Sequence, residues 1–309
     1  MTWWEALILG VVQGLTEFFP VSSSGHLVLG QAVLGLQVPG ILFDVVVHVA
    51  TLISVLVVYR EKIARLMRGL FGSGEESSWG YLLKLVVATV PAAIVGFSFQ
   101  SYFEARFDDP VFAATMILVT GSVVWSSRWA LGTRRAGFAE TIPLLIAAVL
   151  SLLSETLVPF VGVLAIEAIV MVVARATAPP GTTVGDPTWG GAALMGVAQA
   201  VAIFPGISRS GSTVVTGLWR RIDPVDAAEF SFLMSIPAIL GAAVLQLPEA
   251  FAADVGVSNA SLLVGFVAAA ISGVLAIRFF VALLRRQNFH VFAYYCWAAA
   301  GLYLLVGSG

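Results

Sequence analysis

The stretch Gln13-Gly-Leu-Thr-Glu17-Phe-Phe-Pro20-Val-Ser22-Ser23-Ser24-Gly25-His26 interrupts a long apolar run, 3 to 36, near its centre. The i, i+4 spacing puts Gln13 and Glu17 on one helical face. Pro20 ends that helix, and Ser22, Ser23 and Ser24 are favoured caps for a new one starting near Gly25. A second apolar run, 190 to 219, is broken in the same way by Pro205-Gly206-Ile207-Ser208-Arg209-Ser210-Gly211-Ser212-Thr213. Outside these runs the chain is dominated by long apolar segments. Of its 309 residues 59% are hydrophobic and 11% charged, and its mean hydropathy is +0.96. A soluble domain carries about a quarter charged residues, so lipid is the main solvent here. Non-helical backbone at membrane depth is tolerated only where protein or a polar cavity shields it, which makes both broken runs re-entrant helical hairpins.

Apolar runs long enough to cross about 30 Å of hydrocarbon lie at 41 to 59, 84 to 102, 111 to 127, 141 to 157, 160 to 176, 228 to 247, 261 to 279 and 289 to 307. Glu155 and Pro159 mark either a tight turn or a kink between the fourth and fifth. Cytoplasmic loops are enriched in Lys and Arg. Threading the chain with 60 to 83 inside puts fourteen of the sixteen Lys and Arg on the cytoplasmic side. Arg106 falls outside, and Arg209 lies within the second break. The N-terminus lacks the basic region and cleavage site of a signal peptide and is expected to persist. Both termini are then extracytoplasmic.

An offset of 186 residues aligns Gly10-Val11-Val12-Gln13 with Gly196-Val197-Ala198-Gln199, and Ser24-Gly25 with Ser210-Gly211. Each broken run precedes three spans, and the two trios end on opposite sides. The expected fold is therefore an all-α integral membrane protein, a single polytopic domain over 1 to 309. It comprises repeat one at 1 to 130, an inserted helical hairpin at 138 to 178 and an inverted repeat two at 188 to 309. It has about eight spans and two re-entrant hairpins. Inverted repeats with broken helices form a polar site at their interface, with half-helix N-termini aimed at anionic groups, so the two breaks are expected to touch.

The charge pattern excludes one class of partner: the formal net charge is -2 with no basic tract, so there is no footprint for nucleic acid. The single cysteine, Cys296, can form neither an internal disulfide nor a thiolate metal site. Within the breaks, helix amides and Arg209 suit phosphate oxygens. A buried Arg costs roughly 2.5 to 3.5 kcal/mol on insertion scales unless a carboxylate or anion compensates it, and Glu17 is the carboxylate at hand. Each hydroxyl taken alone reads equally as a helix-packing group bonded to backbone. The constellation of Glu17, His26 and Arg209 among serines reads as a functional site. His26 suits acid–base work or holds a serine in place. His48 reads as structural, and His290 carries no specific role. Asp44 and Glu229 either support the site from behind or cap their helices, and Glu167 has no evident partner.

These two breaks, together with Ala228-Glu229-Phe230-Ser231-Phe232-Leu233 and Pro237, closely resemble the bacitracin-resistance family, the undecaprenyl pyrophosphate phosphatases. The resemblance covers most of the chain. It implies hydrolysis of a C55 isoprenoid pyrophosphate in a bacterial-type plasma membrane, regenerating the monophosphate carrier for peptidoglycan and other envelope polymers. It also implies a divalent cation, Mg2+ or Ca2+, with Glu17 as its ligand. Carried onto this chain, Glu17, Ser23, His26 and Arg209 would be catalytic, while Gln13, Ser22, Ser24, Gly25, Ser208, Ser210 and Thr213 would bind substrate. The nucleophile is Ser23, His26 or water, and a homodimer is one expected assembly. Two departures stand out. Gln13 occupies a position where some relatives have Glu, and the hairpin at 141 to 176 has no counterpart role. With the site open to the extracytoplasmic side, the competing reading is a secondary transporter or lipid flippase, because inverted repeats with paired hairpins are also a carrier design.

Overall fold

The computed structural model of the protein describes residues 1–35, 42–71, 76–107, 109–131, 157–181, 185–252 and 257–306. Residues 141–156, the first arm of the expected inserted hairpin, lie outside these. The described residues form thirteen helices and no strand. Helix α1 (Trp3–Phe18) starts where the Thr2 backbone N–H donates to the Glu5 carboxylate at 2.7 Å. It stops because Phe19, preceding Pro20, is extended at φ -70°, ψ 146°. Helix α2 (Ser23–Val33) follows after a four-residue break. Next come α3 (Leu42–Val58) and the basic α4 (Arg60–Phe71), bent from α3 by 77°. Then follow α5 (Glu76–Ser98), α6 (Gln100–Phe107) and α7 (Pro110–Ala130), the last opened by Asp109, whose carboxylate accepts from the Phe112 N–H at 2.9 Å. The second half runs α8 (Leu157–Ala176), α9 (Trp189–Val201), α10 (Arg209–Trp219), α11 (Pro224–Ala252), α12 (Asn259–Arg285) and α13 (Val291–Val306).

Among the described residues five helices are long and apolar enough to cross a membrane, or six if α3 and α4 count as one bent span. A crossing needs about 20 residues, and α3 with 17 and α13 with 16 fall short of that alone. The described residues thus form a polytopic helical protein. Five expected runs, 84 to 102, 111 to 127, 160 to 176, 228 to 247 and 261 to 279, fall on these helices, 41 to 59 and 289 to 307 fall on α3 and α13, and 141 to 156 is not described. Its surface carries Ile94, Phe97, Ile169, Val172, Leu275 and Leu302, all more than half exposed, as expected where lipid rather than water is the solvent.

Packing centres on α7, which is buried along nearly all of its length. Both breaks rest against it. The Thr120 hydroxyl donates to the Gly206 carbonyl at 2.8 Å and accepts from the Ser208 N–H at 2.9 Å. The remaining contacts pair up across the sequence. Helix α1 packs closely on α12, where a Cβ on Gly10 would stand 2.9 Å from the Gly265 Cα. Helix α9 packs on α5, where a Cβ on Gly196 would stand 2.8 Å from the Ala88 Cα. Likewise α3 lies on α12, α11 on α5, and α7 on α13.

Candidate active site

The two breaks build the same capping hydrogen bonds from the same residue types, on different cap backbones. Ser22 caps α2, its Oγ accepting from the Gly25 N–H at 3.2 Å, and Ser208 caps α10, its Oγ accepting from the Gly211 N–H at 3.0 Å. Two residues past each cap, a second serine stands close: Ser22 and Ser24 oxygens are 3.3 Å apart, those of Ser208 and Ser210 3.2 Å. Ser22 reaches this geometry at φ 72°, a left-handed conformation costly for a side-chain-bearing residue. Between cap and second serine, the first helical residue is Ser23 in one break and Arg209 in the other.

Glu17, near the end of α1, joins those two residues. Its Oε2 accepts from the Ser23 hydroxyl at 2.5 Å and from the Gln13 amide at 3.0 Å, while its Oε1 accepts from Arg209 at 2.6 Å. Arg209 also donates to the Ser231 carbonyl at 3.2 Å. Both charged side chains are largely buried, 7% exposed for Glu17 and 15% for Arg209, so each compensates the charge of the other. The breaks touch directly: Ser210 donates to the Phe19 carbonyl at 3.0 Å, and a Cβ on Gly25 would lie 2.9 Å from the Gly206 Cα. Thr213 bonds its own helix at the Arg209 carbonyl, 2.7 Å, and meets the Ser231 hydroxyl at 2.6 Å.

Not every expected residue joins this cluster. His26 bonds the Ser22 carbonyl through Nδ1 at 2.7 Å and the Tyr295 hydroxyl through Nε2 at 3.0 Å, with the two rings stacked at 11°. A carbonyl only accepts, so Nδ1 carries the hydrogen, and in the neutral ring Nε2 accepts from the Tyr295 hydroxyl. Both ring nitrogens are thereby committed away from Ser23 and Glu17. Asp44 lies in the first turn of α3 and accepts from Gln31 at 3.5 Å. Glu229, sixth in α11, pairs with Lys62 at 3.0 Å and stands apart from Glu17. The fully buried Glu167 accepts from the Ser212 hydroxyl at 2.7 Å, tying α8 to the arginine helix.

Four contributors were missed in sequence. His48 places Nε2 3.7 Å from Glu17 while its Nδ1 donates to the Asp44 carbonyl at 2.7 Å. Its one sequence signal was an ionisable group four residues after Asp44 inside an apolar span. Ser231 sat in the quoted Ala228 to Leu233 stretch without a role. Thr120 and Tyr295 gave no signal, being 88 and 269 residues from their partners.

A divalent cation has a test in the donor set. Gln13 Oε1 is buried with no hydrogen-bond partner, on the amide whose Nε2 donates to Glu17. Among the described residues no group of three or more His, Cys, Asp or Glu could hold a metal ion. One amide oxygen and one carboxylate are hard ligands that fit magnesium or calcium when substrate phosphates and water complete the shell.

As a class this is a multi-pass helical membrane protein in which two serine-capped helix starts meet over a buried arginine–carboxylate pair. The family model described as bacitracin resistance protein BacA matches residues 6–142 and 136–302. The chain is 34% identical over 307 residues to undecaprenyl-diphosphatase 4 of Bacillus thuringiensis subsp. konkukian, covering 99% of this chain and 96% of that one. It is 35% identical over 315 residues to undecaprenyl-diphosphatase of Salinibacter ruber, covering 98% of each. The undecaprenyl-diphosphatase of Desulfatibacillum aliphaticivorans is 33% identical over 320 residues, with 99% of each chain covered. This chain belongs to the BacA family.

Proposed function

We propose that this protein hydrolyses undecaprenyl pyrophosphate to undecaprenyl phosphate and inorganic phosphate, recycling the lipid carrier of envelope polymer synthesis. The relatives are named for this hydrolysis, which favours turnover over transport. The observation that carries the chemistry is the continuous bond from Ser23 through Glu17 to Arg209.

In this reading Ser23 is the nucleophile, because an unassisted serine is weak and Glu17 is the base within reach. The Ser23 oxygen bonds to the terminal phosphorus, its proton passes to Glu17 Oε2, and the bridging P–O bond breaks to release the lipid monophosphate. Water then attacks the phosphoserine; as the Ser23 O–P bond breaks, Glu17 returns its proton to the Ser23 oxygen, and the water's oxygen and protons leave with inorganic phosphate. Arg209 and the amides at the starts of α2 and α10 stabilise charge on the transferring phosphoryl group, where most of the catalytic effect in such reactions arises. Gln13, Ser24, Gly25, Ser208, Ser210 and Thr213 shape the cradle. His26 holds the Ser22 cap in place rather than moving a proton. A magnesium or calcium ion held by Gln13 Oε1 and Glu17 would neutralise phosphate charge.

The finer architecture belongs to the same proposal. The paired contacts of α1 with α12 and α9 with α5, and of α3 with α12 and α11 with α5, support two inverted repeats, each opening with a re-entrant hairpin. The distribution of Lys and Arg supports a plasma-membrane protein whose site opens to the extracytoplasmic side.

Purified protein in detergent is expected to release phosphate from C55 pyrophosphate. Ser23→Ala, Glu17→Gln and Arg209→Ala should each lower kcat/KM by about 100-fold or more. Near-normal phosphate release from the Arg209→Ala enzyme would sink the assignment.

A further inference from the structure

Helix α4 has no part in this chemistry. It leaves α3 at 77°, so where α3 crosses the bilayer α4 runs close to the membrane plane. Its 3.6-residue period separates two faces. Ile63, Leu66, Met67 and Leu70 occupy one face, of which Leu66 is buried and Ile63 packs on the core. Arg60, Glu61, Ala64, Arg65 and Arg68 occupy the other and are exposed. Three guanidinium groups face one carboxylate there. Arg60 stands 3.8 Å from Glu61, and the Arg68 Nε donates to the Ala64 carbonyl at 3.2 Å. Among the described residues no carboxylate other than Glu61 pairs with these arginines, so this face keeps a net charge of about +2. Lys62, at the edge, is already taken by Glu229.

We propose that this face of α4 is a binding site for anionic phospholipid headgroups, one that anchors the bend between α3 and α4 at the bilayer surface. Leu66 and Ile63 seat the helix on the protein while Met67 is 46% exposed, and three exposed arginines directly beyond an apolar helix suit an anionic headgroup layer. Arginine suits the phosphodiester because it offers a fork of donors as well as charge.

The test is thermal unfolding of purified full-length protein in uncharged detergent, titrated with phosphatidylglycerol or with phosphatidylcholine. Phosphatidylglycerol should raise Tm saturably and phosphatidylcholine should not. The triple variant R60Q/R65Q/R68Q should need about tenfold more phosphatidylglycerol for half-saturation, and R60K/R65K/R68K should recover most of that loss. Salt at about 1 M should abolish the preference, because screening there reaches about 3 Å. Phosphate release in detergent should be unchanged in both triple variants. The proposal is overturned if the glutamine variant binds phosphatidylglycerol as the wild type does, or if the two lipids stabilise equally. Competition by millimolar inorganic phosphate would also overturn it, in favour of a soluble anion. Should the glutamine triple not fold, Arg65→Gln alone must shift the half-saturation in the same direction.

Discussion

Ser23 and Arg209 begin two nearly identical helix starts, and Glu17 bonds both. One start contributes a hydroxyl and the other a guanidinium. That division was legible in the residues, because a buried arginine demands an anion and Glu17 was the intramembrane carboxylate available in the facing break. The role of His26 was not legible, since the residue type suits acid–base work and only its bonds to Ser22 and Tyr295 commit both nitrogens elsewhere. Asn at position 26 can still donate to the Ser22 carbonyl. His26→Asn is therefore expected to cost less than about tenfold in kcat/KM and to leave the shape of its pH profile unchanged, whereas Glu17→Gln should cost about 100-fold. Loss of one limb of the pH profile in His26→Asn would make the histidine an acid–base group after all.

At the scale of elements, glycine sets how closely the breaks approach. Gly25 has the Gly206 backbone against it, and backbone cannot swing aside as a long side chain can. Gly80 on α5 has no neighbouring atom within 4 Å of its would-be Cβ. Gly25→Ala should lower Tm by several degrees and reduce kcat, since overpacking costs about 1–3 kcal/mol. Gly80→Ala should leave activity intact and slightly raise Tm, because alanine is the better helix former by about 1 kcal/mol. Equal melting temperatures for the two variants would mean that the breaks do not press together as described. Helix ends were readable from Pro20, Ser22 and Ser208, which act locally. The expected run 41 to 59 likewise stops where α3 ends and α4 begins, because Arg60, Glu61 and Lys62 break the apolar pattern there.

For the whole molecule, the arrangement of charges predicts sidedness. Glu61 on α4 and Glu104 on α6 are exposed, while Cys296 is buried beside Pro20. In a Cys296→Ala background, a membrane-impermeant thiol reagent should label Glu104→Cys in intact cells and Glu61→Cys only after permeabilisation. The reverse pattern would invert the threading and place the opening of the site on the cytoplasmic side.

Composition and order alone decided that this chain folds in lipid, that two serine-rich breaks punctuate it, and that the breaks carry an acid and an arginine. Each of those follows from local chemistry: apolar residues seek lipid, proline ends helices, serine caps them, and ions at membrane depth require partners. Folding alone decided which atoms meet. Ser23 faces Glu17 rather than His26, Ser231 and Thr120 brace the second break, and His48 rather than Glu229 stands beside the carboxylate. Those choices depend on helix packing between residues far apart in the chain, where a shift of a few ångströms exchanges one hydrogen-bond partner for another.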